Sequence, residues 1–148
     1  MKTRIIGIDY GMKRIGLAIS DETHLIASAI ETFEASKKME ETVAALVKRL
    51  EEHQKEKGYE LKEIVVGFPL KMNGKAGFIS DEVTLFAETL SKALSIPIIK
   101  WDERLTSVQA ERAMMEGSYN RKKRTKKLDQ ISAVIILQNY LDSKNLII

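Results

Sequence analysis

The stretch that most constrains this chain is a pair of apolar runs joined by a turn that contains glycine. Residues 5–8 predict a buried strand, and residues 15–20 predict a second strand beside it. Asp9 lies where the first strand leaves the core. A carboxylate buried there alone would be unfavourable, so the strand end must open on a cleft or meet a cation. We therefore predict that Asp9 binds a divalent metal.

The rest of the chain alternates between strand and helix patterns. In order, it predicts a strand at 25–33, a helix from about 36 to 57, a strand at 61–66, a helix capped by Ser80, a strand at 96–101, a helix at about 106–117, and a last helix from near Lys127 to about Leu141. Gly58 follows the first helix, where a left-handed residue is favoured.

These elements predict an α/β fold with one five-stranded mixed sheet flanked by helices. The first three strands form an antiparallel meander, and right-handed crossovers place the other two parallel to the first strand. The first strand is then central, and its carboxyl end lies where open α/β sheets bind ligands. With 148 residues and no linker, we expect residues 1–148 to form a single domain.

Composition limits the kind of metal site. The chain has no cysteine and two histidines, both interpreted here as surface residues, so the ligands must be oxygen atoms. Oxygen ligands favour Mg²⁺ or Mn²⁺. No secretory signal precedes the first strand, and no apolar run is long enough to span a membrane. The expected location is cytoplasmic, with no membrane partner.

Three acids occupy informative places: Asp9 ends the first strand, Glu103 follows the fifth, and Asp129 opens the last helix. If that helix crosses the strand ends, the three carboxylates converge and can hold two ions suited to phosphodiester hydrolysis. Each acid also has a structural interpretation. These are a turn acid for Asp9, a surface ion pair for Glu103, and a helix N-terminal acid for Asp129.

Positive charge is concentrated just before Asp129. The net charge of the chain is +3, but six basic residues lie in one predicted loop, so the other residues together carry −3. The six are Arg121, Lys122, Lys123, Arg124, Lys126 and Lys127. Such a segment attracts phosphates without reading base sequence. Arg14 and Arg104 are further candidates for nucleic-acid binding, because a guanidinium suits phosphate oxygens. The alternatives are a solvated loop and surface ion pairs.

The chain contains four distinctive motifs: IDYGMKRIG at 8–16, GFP at 67–69, DERLTS at 102–107 and KLDQISA at 127–133. Together they resemble the YqgF/RuvX family, whose members have an RNase H-like fold and are related to the RuvC Holliday junction resolvases. The resemblance implies a nuclease that depends on Mg²⁺ or Mn²⁺, with Asp9, Glu103 and Asp129 as its catalytic, metal-binding acids.

The resemblance also implies a biological role and shows two departures. The family is associated with 5′-end maturation of the 16S ribosomal RNA precursor, and an older proposal for it is Holliday junction resolution. In RuvC-like enzymes an acid closes the fourth strand, whereas this chain has Gly67, Phe68 and Pro69 there. A fourth acid expected in the last helix is Ser132 here.

Several functions remain open at this point. The leading hypothesis is hydrolysis of structured RNA by a monomer or weak homodimer. A resolvase of branched DNA would need a dimer with two active sites. A third possibility is an RNA-binding assembly factor without catalysis. An ATP-binding domain of the actin and sugar-kinase type would need a second phosphate loop, which this sequence lacks.

Overall fold

The computed structural model describes residues 2–11, 13–68, 78–102 and 121–145, and the side chains of residues 78–80 and 121–129 lie outside that description. The elements, in chain order, are β1 (Thr3–Tyr10), β2 (Arg14–Ser20), β3 (Ala27–Glu34), α1 (Met39–Lys57), β4 (Glu60–Phe68), α2 (Phe78–Ala93), β5 (Ile98–Asp102) and α3 (Arg121–Lys144).

The strands form one five-stranded sheet in the order β3-β2-β1-β4-β5. The β1–β2 and β2–β3 pairs are antiparallel, whereas β1–β4 and β4–β5 are parallel. The predicted meander, the two parallel strands and the central position of β1 are therefore confirmed.

Side chains of β1 alternate between two packed faces. Ile6 and Ile8 belong to a core on the side of α1 and α2, and Ile5 belongs to a second core on the side of α3. This alternation follows from the two-residue period of a strand. Both faces of β1 are covered by helices, so the direction of each side chain decides which layer it joins.

The C-terminal end of α1 matches its prediction. Gly58 adopts a left-handed conformation at φ 68°, and its amide donates to the carbonyl of Gln54 at 2.8 Å. Glycine has no Cβ and adopts this left-handed conformation with little steric strain, so the helix ends here.

Several helix and strand boundaries differ from expectation, three of them informatively. Ser80 lies inside α2 rather than capping it, because the helix begins at Phe78. β3 begins at Ala27 rather than at residue 25. The last helix begins at Arg121, so the segment predicted as a basic loop is helical. Arginine and lysine are good helix formers, and residues 121–127 contain neither glycine nor proline.

Two further expectations have different outcomes. The helix predicted at about 106–117 lies outside the described residues. His53, expected at the surface, is buried, and its ring Nδ1 forms a 2.9 Å hydrogen bond with the hydroxyl of Tyr59. Among the helices that the structure describes, none combines the length and apolar character required to cross a bilayer.

Candidate active site

Asp9 is the predicted metal ligand whose position and surroundings the structure describes most fully. It lies one residue before the end of β1, is half-buried, and pairs with Gly16 of β2. Strand alternation places it on the same face as Ile5 and Gly7, which is the face covered by α3. The carboxylate therefore belongs to the α3 side of the sheet.

Glycines lie on both sides of Asp9 in the sheet. Gly16 is its partner on β2. On the other side, Val66 of β4 pairs with Ile8, so the next residue, Gly67, lies beside Asp9. Both glycines are buried and neither contributes a side chain beside the carboxylate on the α3 face. A half-buried carboxylate at the end of the central strand provides oxygen ligands of the kind that a hard cation prefers.

Gly7 brings α3 close to the central strand. A Cβ built at Gly7 would lie 2.6 Å from the Cβ of Leu137 and 3.2 Å from the carbonyl oxygen of Ala133. A side chain is therefore excluded, as is typical of a strand glycine under a closely packed backbone. The close approach places α3 directly over β1, two residues from Asp9.

The direction of α3 is set by contacts near its C-terminal end. The Tyr140 hydroxyl donates to Glu63 at 2.7 Å, and Glu63 pairs with Ile5 near the start of β1. Asn145 donates to the carbonyl of His24 at 2.9 Å. Because the helix continues from there across Gly7, its earlier turns run toward the carboxyl end of β1.

This direction brings position 129 to the end of the sheet where Asp9 lies. Asp129 precedes Ala133 by one helical turn, and its helical register shares a face with the buried Ser132 and Ile136. It lies in the third turn of α3 rather than in the first, because the helix begins earlier than predicted. Its side chain lies outside the description.

The third predicted acid follows β5 directly. Glu103 and Arg104 lie outside the described residues. Before them, Trp101 packs on the α3 side, with its ring centroid 5.4 Å from that of Tyr140 in an edge-to-face contact. Trp101 is thus a packing residue, as expected. Alternation assigns the next residue, Asp102, to the opposite face.

The chemistry of the available ligands fits a hard divalent cation. Asp9 provides carboxylate oxygens, and the chain contains no cysteine to provide sulfur. Within the described ranges, no group of three or more His, Asp and Glu residues lies close enough to hold an ion. Two of the three predicted ligands have side chains outside the description, so the proposed triad remains a prediction.

Arg14 lies near Asp9, two residues before Gly16 on β2, and is half-buried. The turn that leads to it requires glycine, because a Cβ at Gly11 would lie 2.5 Å from the carbonyl oxygen of Arg14. The other basic residues predicted to bind nucleic acid occupy the first two turns of α3, where their side chains are not described: Arg121, Lys122, Lys123, Arg124, Lys126 and Lys127.

Two tyrosines have raised pKa values: Tyr10, next to Asp9, and Tyr140, toward the C-terminal end of α3. Burial raises the pKa of Tyr10. The neighbouring Glu82 carboxylate accepts a hydrogen bond from the Tyr10 hydroxyl at 3.5 Å and raises this pKa further. Burial also raises the pKa of Tyr140, with a second contribution from the hydrogen bond to Glu63. Both hydroxyls act as hydrogen-bond donors that hold neighbouring elements in place.

Sequence reasoning missed the residues that position α3. The side chain of Gln138 accepts a hydrogen bond from the amide of Ala27 at 2.9 Å and donates one to the carbonyl of Leu25 at 2.8 Å. These two bonds connect α3 to the start of β3. Gly7 and Tyr140 were also overlooked. A glycine inside an otherwise aliphatic strand is the signal that could have revealed the helix contact.

A mixed sheet of this order, with an acid ending its central strand and a helix across that strand, is the RNase H-like fold of RuvC-type resolvases. The structure is similar to Thermus thermophilus RuvC in complex with a Holliday junction substrate, with a TM-score of 0.58 and 16% identity over 96% of this chain and 95% of that one. It is also similar to the fowlpox virus Holliday junction resolvase, with a TM-score of 0.56 and 18% identity over 95% and 99% of the two chains.

The chain belongs to the RuvX family. The family described as "RuvX: Holliday junction resolvase" matches residues 3–143. A curated relative from Protochlamydia amoebophila, named "Putative pre-16S rRNA nuclease", is 51% identical over 142 residues, which is 96% of this chain and 95% of the relative. The family resemblance and the fold predicted from the sequence are both confirmed.

Proposed function

We propose that this protein is a divalent-metal-dependent nuclease that hydrolyses phosphodiester bonds in the maturation of the 5′ end of pre-16S ribosomal RNA. The family match and the name of the Protochlamydia relative support the reaction and the substrate. The observation that carries the proposal is the half-buried Asp9 at the end of the central strand, with glycines beside it and α3 across its face.

In this proposal Asp9, Glu103 and Asp129 together hold Mg²⁺ or Mn²⁺. When bound, such ions lower the pKa of a water molecule and stabilise the leaving oxygen of a phosphodiester. The strand holds Asp9 rigidly, whereas Glu103 follows β5 and Asp129 belongs to α3. Carboxylates from three separate elements repel one another without a cation, so ion binding and the packing of α3 are coupled.

The basic residues have a separate role in this proposal. Arg14, Arg104 and the six cations of residues 121–127 attract phosphates toward the acids without selecting a base sequence. We also propose that the protein works in the cytoplasm, where ribosomal precursors mature, as a monomer or weak homodimer.

The test is cleavage of an end-labelled pre-16S fragment by purified protein with Mg²⁺, Mn²⁺ or EDTA. The cleavage rate of Asp9→Asn should be at least roughly 100-fold lower than that of wild type. Mutation of a residue that only hydrogen-bonds to a metal ligand already lowers metal affinity or activity by about 10- to 100-fold. Asp81→Asn is the control, since this acid is exposed on α2, on the other side of the sheet. It should cleave as the wild type does. Equal rates for wild type and Asp9→Asn would contradict the proposal.

A second candidate function is resolution of four-way DNA junctions. The family description and the likeness to resolvase structures favour it. Symmetric cleavage needs two active sites facing one junction, so the protein should form a dimer on a junction. Sedimentation with junction DNA tests this, and a protein that remains monomeric excludes the function. RNA binding without cleavage in any metal would instead indicate an assembly factor.

A further inference from the structure

A groove lies on the α1 side of the turn between β1 and β2. Its first part is a depression of about 640 Å³ lined by Lys13, Arg14, Glu34, Ala35, Ser36 and Lys37. Its second part, of about 580 Å³, shares Lys13, Ser36 and Lys37 and continues to Tyr10, Met39, Thr42, Glu82 and Leu85. We call the two parts together the turn groove.

The turn groove carries an excess of positive charge. Three cations and one acid line its first part, and the exposed Lys38 follows directly. Glu82 lines the second part, where it accepts a hydrogen bond from Tyr10 at 3.5 Å, so the two parts together have three cations and two acids. Glu41 lies nearby and accepts a hydrogen bond from the hydroxyl of Ser36 at 2.8 Å. Clustered cations in a concave surface concentrate anions there.

The second part of the groove adds apolar surface. Leu85 is 47% exposed, which is high for a large aliphatic residue, and Met39 and the ring of Tyr10 lie beside it. A charged channel next to apolar side chains suits an unpaired nucleic-acid strand, whose phosphates and bases need different neighbours. A duplex would keep its bases stacked and away from this surface.

The groove is adjacent to the proposed active site. Tyr10 directly follows Asp9, and Arg14 lies two residues along β2 from Gly16, the partner of Asp9, which is about 7 Å of strand. The part of α3 from Ala133 onward packs on the opposite face of the sheet, and the basic segment precedes it in the same helix. A substrate that touches both must pass over the carboxyl end of β1.

We propose that the turn groove binds the phosphodiester backbone of an unpaired strand next to the cleaved bond, through Lys13 and Lys37. This inference rests on the proposed nuclease function of the Asp9 site. It adds a substrate preference: the preferred nucleic acid has a duplex region flanked by a single-stranded extension. Contacts to phosphates, rather than to bases, make the extension's sequence unimportant.

The test compares Lys13→Ala/Lys37→Ala with Lys48→Ala/Lys55→Ala, a control pair that removes two exposed lysines from the middle and far end of α1. All four lysines are exposed, so neither variant should affect folding. The probes are a fluorescent RNA hairpin with blunt ends and the same hairpin with an extension of about ten nucleotides on either strand. Binding is measured by anisotropy in EDTA, so that no cleavage occurs.

We expect Lys13→Ala/Lys37→Ala to bind the extended hairpin roughly tenfold more weakly at low salt, and the slope of log K against log salt to fall by about 1.4. The affinity of Lys13→Ala/Lys37→Ala for the blunt hairpin should stay within about twofold of wild type. The affinity of the control variant for either hairpin should do the same. Unchanged binding of the extended hairpin overturns the proposal, as does an equal loss on both probes or in both variants. Because the assay needs no turnover, its outcome is independent of whether wild type and Asp9→Asn cleave equally.

Discussion

The two faces of the sheet are packed in different ways. The face toward α1 and α2 is filled with large side chains, among them Ile6, Ile8 and Phe86, all fully buried. The face toward α3 is built from smaller residues near the site: Gly7 and Gly16 on the strands, and Ala133 on the helix. The same central strand contributes to both.

This difference separates stability from function. Each large aliphatic residue buried on the α1 side stabilises the fold by about 1.5–3 kcal/mol. On the α3 side the strand has Gly7 and Asp9, which bury little apolar area, and Gly7 allows the helix to approach the strand closely. Substitutions on the two faces should therefore change different properties.

The largest expected effect on stability comes from Ile6→Ala, on the α1 side. Ile6 is fully buried, and replacing it leaves a cavity that should lower the free energy of unfolding by about 2–5 kcal/mol. Urea unfolding measures this loss. The cleavage rate per folded molecule should remain near that of wild type, and a large fall in that rate would show that the two faces are not separate.

Gly7→Ala tests the neighbouring position on the opposite face. The new methyl group would lie 2.6 Å from Leu137, so α3 must shift, at a cost of about 1–3 kcal/mol in unfolding free energy. Cleavage should fall as well, because α3 carries Asp129.

The matched control for this prediction is Gly58→Ala, where the new methyl group meets nothing within 4 Å but φ is +68°. It should cost about 1 kcal/mol through backbone strain, with cleavage unchanged. If Gly7→Ala loses stability but retains full activity, close packing of α3 is not needed for the site.

Tyr140→Phe removes the hydrogen bond between α3 and Glu63 while keeping the ring contact with Trp101. The expected loss is about 1 kcal/mol in unfolding free energy, measured by urea at neutral pH. Glu63 is partly exposed, so water can replace the lost donor and limit the effect. A loss above 3 kcal/mol would mean that the ring itself had moved.

The last prediction concerns alkaline pH. Burial raises the pKa of Tyr59, on the α1 side, from 10.0 to about 12. The folded protein thus holds this proton more tightly than the unfolded chain, so the stabilisation is complete below pH 10 and is lost as pH rises toward 12. Unfolding free energies from pH 9 to 12 should fall less steeply for Tyr59→Phe than for wild type. Parallel curves would show that Tyr59 ionises equally in both states.

Much of the fold could be predicted from local pattern. The aliphatic run around Ile6 and Ile8, the helical period of α1 and the position of Gly58 are properties of short segments, and each was correct. The predicted start of α3 is wrong because clustered charge suggests a loop, although lysine and arginine favour a helix. His53 was misjudged because its partner, Tyr59, lies across a turn.

The candidate site was less accessible to such reasoning. Asp9 could be singled out because a carboxylate where an apolar strand leaves the core is unfavourable unless it meets a cleft or a cation. The groove formed by Lys13 and Lys37 could not, because it joins a turn to the start of α1 and neither segment has a distinctive sequence. The triad with Glu103 and Asp129 stays a prediction based on motifs.

By itself, the sequence determined the alternation of strands and helices, the central acidic strand and the family, because these depend on residues close together along the chain. Only the tertiary structure decided which face of the sheet receives α3, how closely it packs on Gly7, and toward which strand end it runs. Those features depend on which surfaces fit together, and fit is a property of residues more than one hundred positions apart.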